Sequence, residues 1–283
     1  MEHTVATDPK EIKYIKKRCR KAFREKICFY ICRIFPIKKK LISVCTFEGK
    51  GGFGCNAKPL VKKLHEMNPE YEFVWFVNDM SKKFPQYIKK VPNTLWSRAY
   101  WLTRSSVWID NYRKLFGTCK RKGQYYLNVN HYTIGIKCTG LLRGEGFSEM
   151  AYLVSKNDSD MIDDLVIDSD WCEQCFDKAL VYEGTFLKTG APRCDVLYGD
   201  RSLLKERFHG KYNLPEGLYL GVSKHLCCLI LSLRYALNST SVYFCKICCI
   251  IKRKSDNYSI ESVCCRNLHS KQIIWSEEHN KKL

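Results

Sequence analysis

The residues able to do chemistry gather first between positions 121 and 140. A β-rich run, Tyr125 to Val129, leads into His131, and Gly135 and Lys137 follow within six residues. A histidine at the end of a strand can serve as a general base, and a glycine and a lysine behind it can hold a phosphate. An ordinary strand and turn with a surface histidine accounts for the same residues, because one histidine specifies no reaction. Further candidates occupy similar places. Glu48 to Gly54 is a glycine-rich loop in which Gly51, Gly52 and Gly54 would let a substrate approach the backbone, and Asn56 opens the segment behind it. Its spacing fits neither G-x-G-x-x-G nor G-x-x-x-x-G-K-[ST], so no nucleotide fingerprint is established. Asp110 and Asn111 close another apolar run. In the turn Gly190 to Asp195, Arg193 offers a two-pronged donor for phosphate; a structural Arg-Asp pair is the other reading.

The elements that would position these residues alternate in type. Leu41 to Phe47, Tyr71 to Val77, Val107 to Ile109, Tyr125 to Val129, Leu165 to Ile167 and Thr185 to Thr189 read as strands. Helices are expected from Asn56 to about Met67, over Ser81 to Lys90, over Leu95 to Thr103, from Lys156 onward, and from Trp171 behind the cap Asp168-Ser169-Asp170. Alternation of this kind predicts an α/β fold, a Rossmann-like parallel sheet covered on both faces. In such sheets the working residues collect at the carboxyl ends of the strands. The glycine loop, Asn78, Asp110, Asn111 and His131 all fall there, and that shared position supports His131 more than any single residue does.

Composition narrows the class of partner. The chain has 283 residues, with 48 Lys+Arg against 29 Asp+Glu for a net charge of +19. Such a surface favours polyanions: nucleic acid, anionic lipid or phosphate-rich substrates. No recognised nucleic-acid module is present, so nucleic acid is not the expected partner. There are 17 cysteines and no signal-peptide pattern, which suits a reducing compartment better than a disulfide framework. Cys172-x-x-Cys175 lacks a second pair at finger spacing, so no metal is expected, and no motif calls for a cofactor. The longest apolar run, Leu226 to Leu233, is too short to span a bilayer.

Residues 1–37 form a separate problem. Positions 10 to 40 hold thirteen Lys/Arg and only Glu11 and Glu25, while Ile12, Ile15, Cys19, Phe23, Ile27, Tyr30 and Ile34 recur at helical steps until Pro36. Two readings stand. The helix lies on an anionic membrane surface through Lys16, Lys17, Arg18, Arg20 and Lys21, or it packs on the domain with its lysines solvated.

Taken in order, Lys38 to Ile42, the Gly52-Phe53-Gly54 loop, Val74 to Asn78, Val107 to Asn111, Gln124 to Tyr126, His131 with Lys137, and Gly190 to Asp195 resemble the CDP-glycerol glycerophosphotransferase family, the teichoic acid polymerases and their relatives. The resemblance covers roughly residues 30–218. It implies the N-terminal half of a GT-B-like fold, with an acceptor-side domain at 38–218. It also implies transfer of glycerol phosphate from CDP-glycerol to a hydroxyl of a poly(glycerol phosphate) chain, at the cytoplasmic face of the plasma membrane. His131 would be the base, Lys137 and Arg193 would neutralise phosphate, and Asp110 and Asn111 would orient the acceptor. The chain departs from the family in two places. Asn130-His131-Tyr132 stands where Trp-His-Gly is usual, and residues 219–283, with seven cysteines, lack the family's donor-site motifs and read as a degenerate remnant of the donor-binding domain. A binding module without turnover and a sugar-nucleotide transferase on a similar scaffold are the competing functions.

Overall fold

The structure, a computed structural model, describes residues 3–131, 140–177 and 179–197, together with residues 202, 206 and 210. Lys137, Gly135, Tyr132 and the tail 219–283 lie outside the described residues. The chain divides into two units, Met1–Glu206 and Arg207–Leu283, and the sheet lies in the first.

Seven parallel strands form one sheet: β1 (Lys38–Cys45), β2 (Glu72–Val77), β3 (Ile88–Pro92), β4 (Ser105–Asp110), β5 (Tyr125–Asn128), β6 (Asp164–Ile167) and β7 (Thr185–Lys188). Their spatial order is β3-β2-β1-β4-β5-β6-β7. The order reverses between β1 and β4, and the crevice outside that reversal is where open α/β sheets bind ligands.

The central strands are apolar on both sides because both sides are covered. Along β1 and β2 successive residues serve opposite cores. Leu41, Cys45, Val74 and Phe76 join Phe29, Leu102, Trp108 and Tyr126 on one face. Ile42, Val44, Phe73, Trp75 and Val77 join Ala57 and Val61 on the other. Helix α2 (Ala57–Met67) covers the second face; α1 (Pro9–Ile31) and α3 (Leu95–Arg104) cover the first. The cap of α3 is Thr94, whose hydroxyl accepts from Ser97 N. Helix α5 (Asp170–Asp177) is capped as expected, with Cys172 N donating to Ser169 Oγ at 3.3 Å.

Two expected helices differ. Ser81 to Lys90 is not helical: Asp79 Oδ1 accepts from Ser81 N in a turn, and Ile88–Pro92 then pairs with β2 from Phe73↔Ile88 to Val77↔Pro92. Pro85 interrupts any helix there, and Ile88 and Val91 supply the buried side chains of an edge strand. Near Lys156 the helix is ending rather than starting. Helix α4 (Glu149–Ser159) begins behind Ser148, whose hydroxyl accepts from Ala151 N.

Helix α1 carries parts of both readings of the N-terminus. Its buried line is Ile15, Ala22 and Phe29, at seven-residue steps, and Cys32 continues it. At about 100° per residue, the predicted stripe is rotated by roughly 90° from that line. Ile15 therefore turns inward, while Phe23 (67% exposed), Ile27, Tyr30 and Ile34 (77% exposed) face out. Lys16, Lys17, Arg20 and Lys21 are exposed, and Arg18 is half-buried. Among the described residues no helix is long and apolar enough to cross a membrane.

Candidate functional site

Four segments meet at the carboxyl end of the sheet, and backbone strain marks the place. Five described non-glycine residues have positive φ, and four of them are Phe47 (50°), Glu48 (54°), Cys55 (55°) and Asn130 (48°). Such conformations cost about 1–3 kcal/mol each and gather where a fold holds a functional arrangement.

The loop after β1 is tied down from several sides. Gly49 N and Gly51 N both donate to Thr46 O at 3.0 Å, and Thr46 Oγ1 donates to Gly52 O at 3.1 Å. A Cβ on Gly51 would stand 2.2 Å from Thr46 Oγ1, so that glycine is required by packing, whereas a Cβ on Gly54 would meet nothing within 4 Å. At Gly52 the nearest atom is Lys82 Cδ at 3.5 Å. Lys82 Nζ itself donates to the carbonyls of Lys50 and Gly51. Of the three loop glycines expected at substrate, Gly52 and Gly54 are the ones whose small size the loop itself does not demand.

Asn56, fully buried, joins three segments. Its Nδ2 donates to Val129 O and Asn130 O, both at 2.8 Å, and its Oδ1 accepts from Arg193 N at 3.3 Å. Arg193 Nη1 donates to His131 O at 2.9 Å. The expected alternative, an Arg193 pair with an aspartate, is not formed among the described residues. Asn56, His131 and Arg193 are thus one connected group, although 62 residues separate Arg193 from His131.

His131 Nδ1 lies 2.8 Å from Asn111 O. A carbonyl only accepts, so Nδ1 carries the proton and Nε2 is the basic nitrogen. The rings of Phe47 and Tyr112 flank the imidazole at 5.2 and 5.3 Å. Asn111 also fixes the glycine loop, its Oδ1 accepting from Phe47 N at 2.9 Å. Its Nδ2 is buried without a hydrogen-bond partner, a defect of the kind that strained sites keep.

Asp110 does not face the opening. It is buried, its Oδ2 bonds Lys114 Nζ at 2.8 Å and its Oδ1 accepts from Tyr112 N at 3.0 Å. Its carbonyl accepts from Val129 N at 2.8 Å. Asp110 therefore shapes the turn that presents the Asn111 carbonyl. Lys114, buried as well, donates through its backbone N to Asp158 Oδ1 at 2.8 Å, and Tyr126 OH reaches the same oxygen at 3.3 Å. Burial pulls the Lys114 ammonium down, but the charge of Asp110, the hydrogen bond to it and the nearby Asp158 together outweigh burial and hold the pKa above the usual lysine value. Burial pushes the Asp158 carboxyl up to about 7, with the bond from Lys114 N opposing. Sequence reasoning did not find Lys114, Asp158 or Tyr126 as parts of this support. The four-residue step from Asp110 to Lys114 was the one available signal.

No cluster of three or more His, Cys, Asp or Glu able to hold a metal occurs among the described residues. The arrangement offers a half-buried imidazole with its proton position set, a loop open at Gly52 and Gly54, and an exposed guanidinium beside it. It suits proton removal from a hydroxyl next to a phosphate.

The family model described as CDP-glycerol:poly(glycerophosphate) glycerophosphotransferase matches residues 27–220, well over half of the chain. A similar protein is the teichoic acid poly(glycerol phosphate) polymerase of Bacillus subtilis (strain 168), 26% identical over 210 residues, covering 68% of this chain and 26% of that one. Solved structures of the wall teichoic acid polymerase TagF share the fold. One has a TM-score of 0.57 at 19% identity over 74% of this chain and 55% of its own. Another, a histidine-to-asparagine variant soaked with CDPG, also has a TM-score of 0.57, at 18% identity over 75% of this chain and 55% of its own. The chain thus spans about a quarter of the curated relative and about half of the solved chains.

Proposed function

The chain belongs to the CDP-glycerol:poly(glycerophosphate) glycerophosphotransferase family, and from that premise we propose that it performs the acceptor side of glycerol phosphate transfer in teichoic acid synthesis. The donor is CDP-glycerol. The acceptor is a hydroxyl of a polyol-phosphate chain. The hydroxyl oxygen attacks the β-phosphorus, the bond to CMP breaks, and the hydroxyl proton passes to His131 Nε2. A neutral hydroxyl is a poor nucleophile, so a base at this point is worth about 10²–10⁴ in rate. The observation that carries the reading is the bond between His131 Nδ1 and Asn111 O, which puts the ring proton on Nδ1 and leaves Nε2 as the basic nitrogen. Arg193, one hydrogen bond from His131, would offset phosphate charge, and Lys137 is assigned the same role from the family pattern. Gly52 and Gly54 would line the approach, with Asn56, Gly51, Asp110 and Asn111 holding it in shape.

The surface of α1 supports a further part of the same reading, that the chain works on an anionic membrane at the cytoplasmic face. Phe23, Ile27, Tyr30, Ile31 and Ile34 are exposed beside Lys16, Lys17, Arg20 and Lys21. Apolar side chains entering the headgroup layer and cations over anionic lipid are what interfacial helices use.

A second reading, an acceptor- or membrane-binding module without turnover, is favoured by the departure of residues 219–283 from the family's donor-site motifs. Titrating the full chain with CDP-glycerol by calorimetry while following CMP release separates the two. Binding with CMP release, and none from sugar nucleotides, supports transfer. A folded chain that neither binds nor turns over CDP-glycerol removes that proposal and leaves the binding module.

A further inference from the structure

A small cavity lies between the carboxyl ends of β1, β2 and β4 and the helix α3. Its volume is about 20 Å³. That exceeds the ~10–15 Å³ one water needs and is far below the space a nucleotide fills. Three cations line it: Arg98, Arg113 and Lys114. Lys114 is neutralised by Asp110 at 2.8 Å. The two arginines have no carboxylate within 4.0 Å among the described residues. Glu48 lines the cavity too, so one negative charge stands against two uncompensated positive ones.

Arg98 is the more telling of the two. Its Nη1 donates to Asn93 O at 3.0 Å, which fixes the guanidinium, while its Nε is buried with no partner. Burial pulls its pKa down, and Glu25, itself near Lys21, only partly offsets this. A guanidinium keeps its charge in any protein setting, so a half-buried one with no carboxylate within 4.0 Å and an unpartnered Nε favours an anion. Arg113 is exposed and adds a second guanidinium to the cavity lining.

We propose that this cavity is an oxyanion subsite that takes one non-bridging oxygen of a phosphoryl group, with Arg98 and Arg113 as its donors. It adjoins the candidate site through two shared segments. Glu48 follows Phe47 in the glycine loop, and Arg113 and Lys114 follow the Asn111 turn. Only the identity of the natural ligand rests on the transfer reading, under which it is a phosphate of the polyol-phosphate acceptor.

The test uses the full chain and two probes, inorganic phosphate and glycerol 3-phosphate, titrated calorimetrically against chloride at constant ionic strength. The wild type binds inorganic phosphate, and Arg98→Gln and Arg113→Gln each weaken it by about tenfold or more, the loss expected for one charged hydrogen-bond donor. Lys62→Gln, which removes the same charge from the exposed Lys62–Glu66 pair on α2, leaves binding within about twofold, because a distant surface charge is screened. Tighter binding of glycerol 3-phosphate identifies a polyol phosphate as the ligand; equal binding identifies the bare phosphoryl group; both support the site. Arg113 is exposed, so its variant stands even where Arg98→Gln disturbs packing. No phosphate binding by the folded wild type, or equal weakening in Lys62→Gln, overturns the proposal. Phosphate binding without CMP release would reject the transfer reading and leave the subsite standing.

Discussion

Asp158→Asn should stabilise this protein at pH 8 and leave it nearly unchanged at pH 4. The carboxyl is buried, and its pKa is pushed from 3.8 to about 7, chiefly by burial. A raised carboxyl pKa means that the folded chain holds a proton which the unfolded chain has released. Stability from this group is therefore greatest below the unfolded pKa near 4, falls as pH rises to about 7, and stays low above that. At 1.36 kcal/mol per pH unit, the interval corresponds to a ceiling of about 4 kcal/mol. Asparagine keeps the oxygen that accepts from Lys114 N at 2.8 Å and from Tyr126 OH at 3.3 Å. Its amide occupies the position where the protonated acid carries its hydroxyl, so the exchange removes the titration with little loss of bonding. Half of the ceiling, about 2 kcal/mol, would raise the melting temperature at pH 8 by about 4–8 °C for a domain of this size. Urea unfolding of both chains at pH 4, 6 and 8 gives the difference directly, and titrations elsewhere cancel in it. A difference independent of pH, or a variant weakest at pH 8, would refute the reasoning.

Other substitutions test the remaining contacts. Asn56→Ala strands two buried carbonyls and the Arg193 N–H, and should cost about 2–4 kcal/mol in urea unfolding. Gly51→Ala drives a methyl into Thr46 and should cost about 1–3 kcal/mol, whereas Gly54→Ala has open space and should stay within about 0.5 kcal/mol of wild type. A fall in CDP-glycerol turnover in Gly54→Ala at unchanged stability would then report substrate at the loop. Neutralising Lys16, Lys17, Arg20 and Lys21 together should weaken sedimentation with anionic vesicles by about tenfold or more, with the loss shrinking as salt rises. Unchanged vesicle binding would remove the membrane claim.

What the sequence revealed depended on whether side chains or backbone carried the signal. The run Val74 to Val77 is apolar on both faces, and only a buried parallel strand needs that. Strand β3 escaped because Lys89, Lys90 and Pro92 suit an exposed edge and mimic a polar helix. The stripe on α1 was visible, but its orientation was not, since packing chose Ala22 over Phe23 for the core. Close approach explains that choice: Gly117, at φ 100°, sits so near that an added Cβ would lie 2.9 Å from the Ala22 backbone. At the site, His131, Asn56, Asn111 and Arg193 were legible by type and place. The contact that places the His131 ring proton was not, because the partner is the Asn111 carbonyl and every residue has one. Asp158 was hidden by its neighbours, as Lys156 to Asp160 reads like the polar start of a helix until Lys114 and Tyr126 are folded against it.

The most direct test of the central claim is the rate of CMP release from CDP-glycerol, with a glycerol phosphate oligomer as acceptor, for the full chain and its His131→Ala variant. The account predicts acceptor-dependent release that falls by about 10²–10⁴ in the variant, while the unfolding transition in urea is retained. Equal release from both chains, or none from the folded wild type, would contradict it.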